Sequence, residues 1–217
     1  MKHKQMLAPV ERFFRDKVRE FGASHKAVDY NSTDAQEIRF LQLMKLLAGP
    51  EPFSINDYGC GYGALAHFLL DRGHRFTYCG LDIAKEMTDA AARLVPEGAA
   101  WHFVNDPKEL APADYTVVSG TFNLKLGAER AAWEEFVLAC LEGIARVSRK
   151  GFGFNMLTTY SDRELMRPDL YYGDPLFYFD YCERNFSKDV ALLHDYGIYD
   201  FTVLVRLQAP EGQKPEQ

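Results

Sequence analysis

Between residues 52 and 157 the chain alternates short apolar runs with amphipathic stretches, and the first junction between them is a glycine-rich turn. PFSINDY (52–58) predicts a strand, ALAHFLLDRG (64–73) a helix ending at glycine, FTYCGLDI (76–83) a strand and AKEMTDAAARLV (84–95) a helix. AAWHFV (99–104) and DYTVVSG (114–120) are the third and fourth strands, ERAAWEEFVLACLEGIARVS (129–148) a long helix and GFGFNML (151–157) the fifth strand. Strands joined through helices run parallel, so this rhythm predicts a doubly wound sheet with helices on both faces. DVALLHDY (189–196) and DFTVLVRL (200–207) are separated only by Gly197-Ile198-Tyr199. A parallel pair needs a crossover of about a dozen residues, so these two strands form a hairpin and one of them opposes the rest.

The flanks are different in character. Val10, Phe13, Phe14, Val18 and Phe21 have helical spacing over residues 9–21, with Gly22 as the stop. After a polar loop, Asn31 and Ser32 are N-cap candidates for a second helix, whose apolar side is Ile38, Leu41, Leu43, Met44, Leu46 and Leu47; Gly49-Pro50 ends it. Residues 158–188 are aromatic and polar together. Asp174-Pro175 opens a helix over 175–185, and the long loop before it reads as the mouth of a pocket. The expected organisation is a helical cap (1–50), a main domain (51–207) with residues 158–188 as an insertion toward the ligand, and a flexible tail (208–217).

Composition narrows the function. A net charge of −6 over 217 residues lacks the basic footprint of a nucleic-acid binder. No uncharged apolar run reaches the roughly 18 residues of a membrane span, and the charged N-terminus has no apolar signal core. Cys60, Cys79, Cys140 and Cys182 match no zinc or redox spacing and read as reduced thiols of a cytoplasmic protein. No His/Cys/Asp cluster has metal spacing, so no metal site is expected. A monomer or homodimer is expected.

The segment Asp57-Tyr58-Gly59-Cys60-Gly61-Tyr62-Gly63 follows the first strand and opens a helix. Glycines there allow a tight bend and close approach of a ligand to the backbone. A dinucleotide fingerprint is G-x-G-x-x-G; here it is G-x-G-x-G with an acid in front, which suits a cationic group and repels a pyrophosphate. Asp82, at the tip of the second strand, can accept both hydroxyls of a ribose.

With these motifs, NDYGCGYGALAHFL and CGLDIAKEMTDAA, the chain resembles the class I S-adenosylmethionine-dependent methyltransferases over residues 52–157. The resemblance implies a Rossmann-like, mostly parallel seven-stranded sheet closed by an antiparallel hairpin, and S-adenosylmethionine as cofactor. It implies that Gly59, Cys60, Gly61 and Gly63 pass the methionine part and that Asp57 stands near its amino group. Asp82 takes the ribose, Ile83 and Met87 pack on adenine, and Asp106 or Asn105 meets the adenine amino group. Gly120 and Thr121 line the cofactor near sulfur. HKAVDYNSTDAQEIRF resembles the N-terminal cap of a bacterial subgroup, in which Tyr30 closes over the cofactor and Gln36 or Arg39 meets its carboxylate.

On the acceptor side, the fourth strand ends SGTFN and lacks the N-P-P-[YF] signature of amino-directed nucleic-acid enzymes, which favours a small-molecule acceptor, with a hydroxyl of a sugar or secondary metabolite as the expected target. Asn123 either hydrogen-bonds the acceptor or caps a turn. His194 beside Asp195 is the candidate base at a strand tip, with His25 a weaker one; the alternative is a histidine satisfied by backbone. Tyr160, Tyr171, Tyr172, Tyr178 and Tyr181 either wall a pocket or pack a lid, and Arg163, Arg167 and Arg184 either bind an acidic acceptor or are surface residues. Competing readings are aminocarboxypropyl transfer or cyclisation with the same cofactor, a non-catalytic cofactor-binding subunit and, least favoured, a nicotinamide oxidoreductase.

Overall fold

The computed structural model describes residues 2–30, 32–47, 49 and 52–207; Asn31, Pro50 and the expected tail lie outside them. The elements are α1 (Lys2–Phe21), α2 (Thr33–Met44), β1 (Phe53–Tyr58), α3 (Ala64–Asp71), β2 (Phe76–Leu81), α4 (Lys85–Ala92), β3 (Trp101–Val104), β4 (Ala113–Ser119), α5 (Arg130–Arg146), β5 (Ser148–Leu157), α6 (Pro175–Asn185), β6 (Asp189–Leu193) and β7 (Asp200–Arg206).

One seven-stranded sheet has the order β3-β2-β1-β4-β5-β7-β6. The first five strands are parallel, and β7 runs antiparallel to both β5 and β6. The expected doubly wound sheet with a terminal hairpin is therefore the fold observed. Alternate residues of the central strands enter different cores, as the two-residue strand period requires. Val118, Phe152, Phe154, Val203 and Val205 pack with Trp133, Val137, Leu141 and Ile144 of α5. Ile55, Tyr115, Val117 and Leu204 pack on the other face with Phe40, Leu43 and Leu46.

Two boundaries differ from expectation, at the start of α1 and the end of β6, and a third settles on one of the two cap candidates. Helix α1 begins at Lys2 and continues through Pro9, whose missing N–H costs a helical bond; Met6 and Leu7 on the turn before it pack against the core. The second helix is capped by Ser32, whose Oγ accepts from the Ala35 N–H at 3.1 Å. Strand β6 stops at Leu193, so residues 194–199 form the hairpin connection and His194 lies outside the strand.

Helix α1 bridges two helices of the main layer. Val10 joins the cluster containing Trp133 and Phe136 of α5, and Val18 packs with Ala84 and Met87 at α4. Arg19 pairs with Glu86 at 2.6 Å. This places α1 across the carboxyl ends of the strands, where an open α/β sheet presents its ligand crevice.

Candidate active site

A cleft of about 280 Å³ lies at that end, between the termini of β1, β2 and β4 and beneath α1. Its walls are the Asp57–Gly61 bend, Asp82, Ile83 and Met87, Ser119–Thr121, Leu7, Val10 and Phe14 of α1, and Trp133 and Phe136 of α5.

The bend is tied to the end of β2: the N–H groups of Gly59 and Cys60 both donate to the Leu81 carbonyl, at 2.7 and 2.9 Å. Gly59 has φ +83°, and a Cβ there would strike the Thr121 side chain. Gly120 has φ +67°, and a Cβ there would strike the Tyr30 hydroxyl, which lies over it. Both sites therefore require glycine for conformation and for space.

Asp82 accepts the Gly61 N–H at one carboxylate oxygen and the Ala84 N–H at the other, each at 2.9 Å. These bonds orient the group and leave a lone pair open on each oxygen. Burial pushes its pKa up to about 6 against the pull of those two donors. Asp57 is buried and accepts from the Tyr78 hydroxyl at 2.7 Å. Burial pushes its pKa up to about 7; the Tyr78 bond opposes this and the Asp82 charge adds to it. Burial also raises the pKa of the Tyr30 hydroxyl and of the Cys60 thiol, so both hold their protons near neutrality.

Of the residues singled out in the sequence, Asp57, Gly59, Cys60, Gly61, Asp82, Ile83, Met87, Gly120, Thr121, Tyr30 and Gln36 line this cleft. Several others do not. Gly63 stands behind it as the N-cap residue of α3. Asn105 donates to the Asp82 carbonyl (2.6 Å) and to Thr88 Oγ1 (3.0 Å), bracing the loop after β2. Asp106 accepts from the Lys108 N–H at 3.0 Å and caps the short turn Pro107–Glu109, and Pro107 takes the place on the wall.

Arg39 stands off the cleft wall. Its guanidinium forms a fork with buried Asp200 of β7, through Nε at 3.2 Å and through Nη2, and its Nη1 donates to the Ala35 carbonyl at 2.6 Å. All three guanidinium nitrogens thereby donate inside the protein, and the Tyr30 ring stacks on the group at 4.9 Å. His194 is off the wall too: it is exposed on the hairpin connection, 5.8 Å ring to ring from Tyr160. His25 is likewise off that wall.

Asn123 accepts the Leu157 N–H at Oδ1 (3.0 Å), which fixes the loop after β4. Most of the insertion tyrosines pack: the buried Tyr171 and Tyr178 hydroxyls meet at 2.8 Å, and Tyr171 also donates to Glu134 at 2.8 Å. Tyr172 accepts from the Arg167 N–H (3.0 Å) and Tyr181 donates to Glu142 (3.4 Å), whereas Tyr160 is exposed. Arg167 and Arg184 pair with Asp169 and Asp180. Among the described residues no cluster of three or more His, Cys, Asp or Glu could hold a metal, and no helix is long and apolar enough to cross a membrane.

Sequence reasoning missed Tyr78, Asp200, Asn155 and the α1 wall. The apolar positions of α1 carried a helical period, but nothing in that period separates a roof over a cleft from a core-facing helix. Asp200 and Asn155 stood in strands without motif context.

A cleft at the point where β1 hands over to β4, with acids at two successive strand ends and a bare-backbone bend between them, defines a nucleoside-cofactor site of the doubly wound class. The comparisons narrow this. The model of a methyltransferase domain matches residues 55–151. Rv1506c of Mycobacterium tuberculosis (strain ATCC 25618 / H37Rv), provisionally named a methyltransferase, is 48% identical over 163 residues, spanning 75% of this chain and 98% of that protein. Mycolic acid cyclopropane synthase CmaA1, solved with SAH and CTAB, superposes with a TM-score of 0.63 at 13% identity, over 92% of this chain and 97% of that one. DhpI, solved with SAM and HEP, gives 0.63 at 15% identity, over 93% and 97%.

The chain belongs to the class I S-adenosylmethionine-dependent methyltransferase family. Its cofactor is S-adenosylmethionine, and the cleft fits it: the bend at Gly59 and Gly61 has no room for side chains, the carboxylates of Asp57 and Asp82 stand on its wall, and most of the remaining wall is apolar.

Proposed function

We propose that this methyltransferase modifies an oxygen of a small-molecule acceptor, within a main domain (51–207) roofed by the helical segment 1–50. The observation that carries the reading is the pair Asp57 and Asp82, facing one cleft on either side of the glycine bend. In this reading Asp82 takes the ribose hydroxyls with its two free lone pairs, and Asp57 holds the cofactor ammonium. Ile83 and Met87 flank the adenine. Gly59, Cys60 and Gly61 follow the methionine chain, and Gln36 replaces Arg39 as the group offered to the carboxylate. Gly120 and Thr121 stand nearest the sulfur, and Tyr30 closes the roof against water.

When bound, the cofactor supplies a methyl group on a good sulfonium leaving group, so the chain's own task is positioning and water exclusion. A small acceptor is supported by the net charge of −6, which disfavours a phosphate backbone.

The test is calorimetry with S-adenosylhomocysteine, followed by product identification with methyl-labelled cofactor. Asp82→Ala is expected to weaken binding by about 1–3 kcal/mol, through loss of charge-assisted hydrogen bonds. Unchanged affinity in a folded Asp82→Ala protein removes the ribose role, and nicotinamide binding in its place removes the reading.

A further inference from the structure

Tyr78 is off the cleft wall, buried in β2, and its hydroxyl donates to Asp57 Oδ2 at 2.7 Å. The reach follows from register. In the parallel pairing of β1 with β2, Tyr78 stands opposite Ile55 and Gly80 opposite Asp57. Side chains two residues apart share a sheet face, so the phenol extends along β2 past Gly80, which has no side chain, to the carboxylate near the end of β1. A Cβ on Gly80 would strike Phe103 and Cys60 Sγ. The rings of Trp101 and Phe103 on β3 each stand 5.9 Å from the Tyr78 ring and hold it in line.

Asp57 has little else to favour its charge. The titratable groups close enough to act on it are Tyr78 and Cys79 of β2, Asp82 beyond that strand, Cys60 on the bend and Tyr30 in the roof, and none of them is a cation. Burial and the Asp82 charge both favour the neutral acid, and the Tyr78 hydroxyl opposes them. Burial and the nearby Asp57 charge keep the phenol protonated, so it stays a donor. A donor on one carboxylate oxygen leaves the other to meet a ligand, and Asp57 lines the cleft.

Resting on the reading of Asp57 as the ammonium ligand, we propose that Tyr78 is a positioning residue of the cofactor site: acting through Asp57, its hydroxyl holds the carboxylate charged and oriented for the amino-acid ammonium, and so sets the pH range over which that part of the ligand is bound. The adenosine part, assigned above to Asp82, Ile83 and Met87, does not depend on it.

The experiment is calorimetry on the full chain from about pH 6 to about pH 9 with two ligands, S-adenosylhomocysteine and 5′-methylthioadenosine, the second lacking the ammonium. Tyr78→Phe keeps the ring and removes the donor. A hydrogen bond to a charged group moves the ionisation of its partner by about one pH unit or more, so the rise in S-adenosylhomocysteine affinity is expected about one pH unit higher in the variant than in wild type. That is roughly a 5-fold loss at about pH 7 that fades by about pH 9, while 5′-methylthioadenosine binds both proteins alike. In an Asp57→Asn background, Tyr78→Phe is expected to leave S-adenosylhomocysteine affinity unchanged, because its effect runs through the carboxylate. A loss of equal size at every pH, a loss shared by 5′-methylthioadenosine, a loss that persists in the Asp57→Asn background, or no loss at all overturns the proposal. If the wild-type chain does not bind S-adenosylhomocysteine, the cofactor reading fails instead. Should Tyr78→Phe fail to fold, 3-fluorotyrosine at position 78, a stronger donor of nearly the same shape, is expected to move the rise to lower pH, and an unmoved rise overturns the assignment.

Discussion

Asp57 and Asp82 end neighbouring parallel strands, yet the protein holds them differently. Asp82 has two backbone donors, whereas Asp57 has one phenol and deep burial. Burial raises both above the ordinary carboxylate range, to about 6 for Asp82 and about 7 for Asp57. Groups with raised folded-state pKa bind protons more tightly folded than unfolded, so their contribution to stability falls as pH rises from about 4 through about 7. Without ligand, urea titrations are expected to show lower stability at about pH 8 than at about pH 5 from these two sites. A cationic ligand amine favours ionised Asp57, so S-adenosylhomocysteine affinity is expected to rise across about pH 6–8 and to flatten in Asp57→Asn, as calorimetry at several pH values reads directly. That the two acids and the bend between them would share one cleft was legible in the linear chain because it follows from position: a strand tip, a bend, a helix start.

At the scale of elements, the strands and helices between residues 53 and 157 follow local periodicity and match the reading closely, with shifts of one to three residues at their ends. The flanking elements depended on partners. Arg39 has the side chain suited to a ligand carboxylate, and α2 docks it onto Asp200, 161 positions away in the chain. This buried fork ties α2 to β7. Asp200→Asn is expected to destabilise the fold by about 3–5 kcal/mol in urea unfolding, because it strands a guanidinium in the interior. At temperatures where the variant remains folded, S-adenosylhomocysteine affinity is expected to stay near wild type, since Arg39 is off the cleft wall. An affinity collapse in the folded variant would restore Arg39 as a cofactor ligand.

At the scale of the whole molecule, α1 and Tyr30 convert an open crevice into a roofed cleft, coupling ligand to the packing of the N-terminal segment. A ligand that binds only the folded state stabilises it by about 2.7 kcal/mol at one hundred times its Kd. For a domain of this size that corresponds to a rise in Tm of roughly 5–10 °C with S-adenosylhomocysteine. A scanning-calorimetry trace unmoved at that concentration would count against the cleft as the cofactor site. The mostly parallel sheet, the hairpin and the acid–glycine–acid framework were all legible along the chain, because strand period, turn glycine and strand-end position are properties of contiguous residues. The partner of Arg39, the exposure of His194 and the roof formed by α1 were decided only when distant segments packed together. A side chain's chemistry is a property of the residue, whereas its partner is a property of the fold.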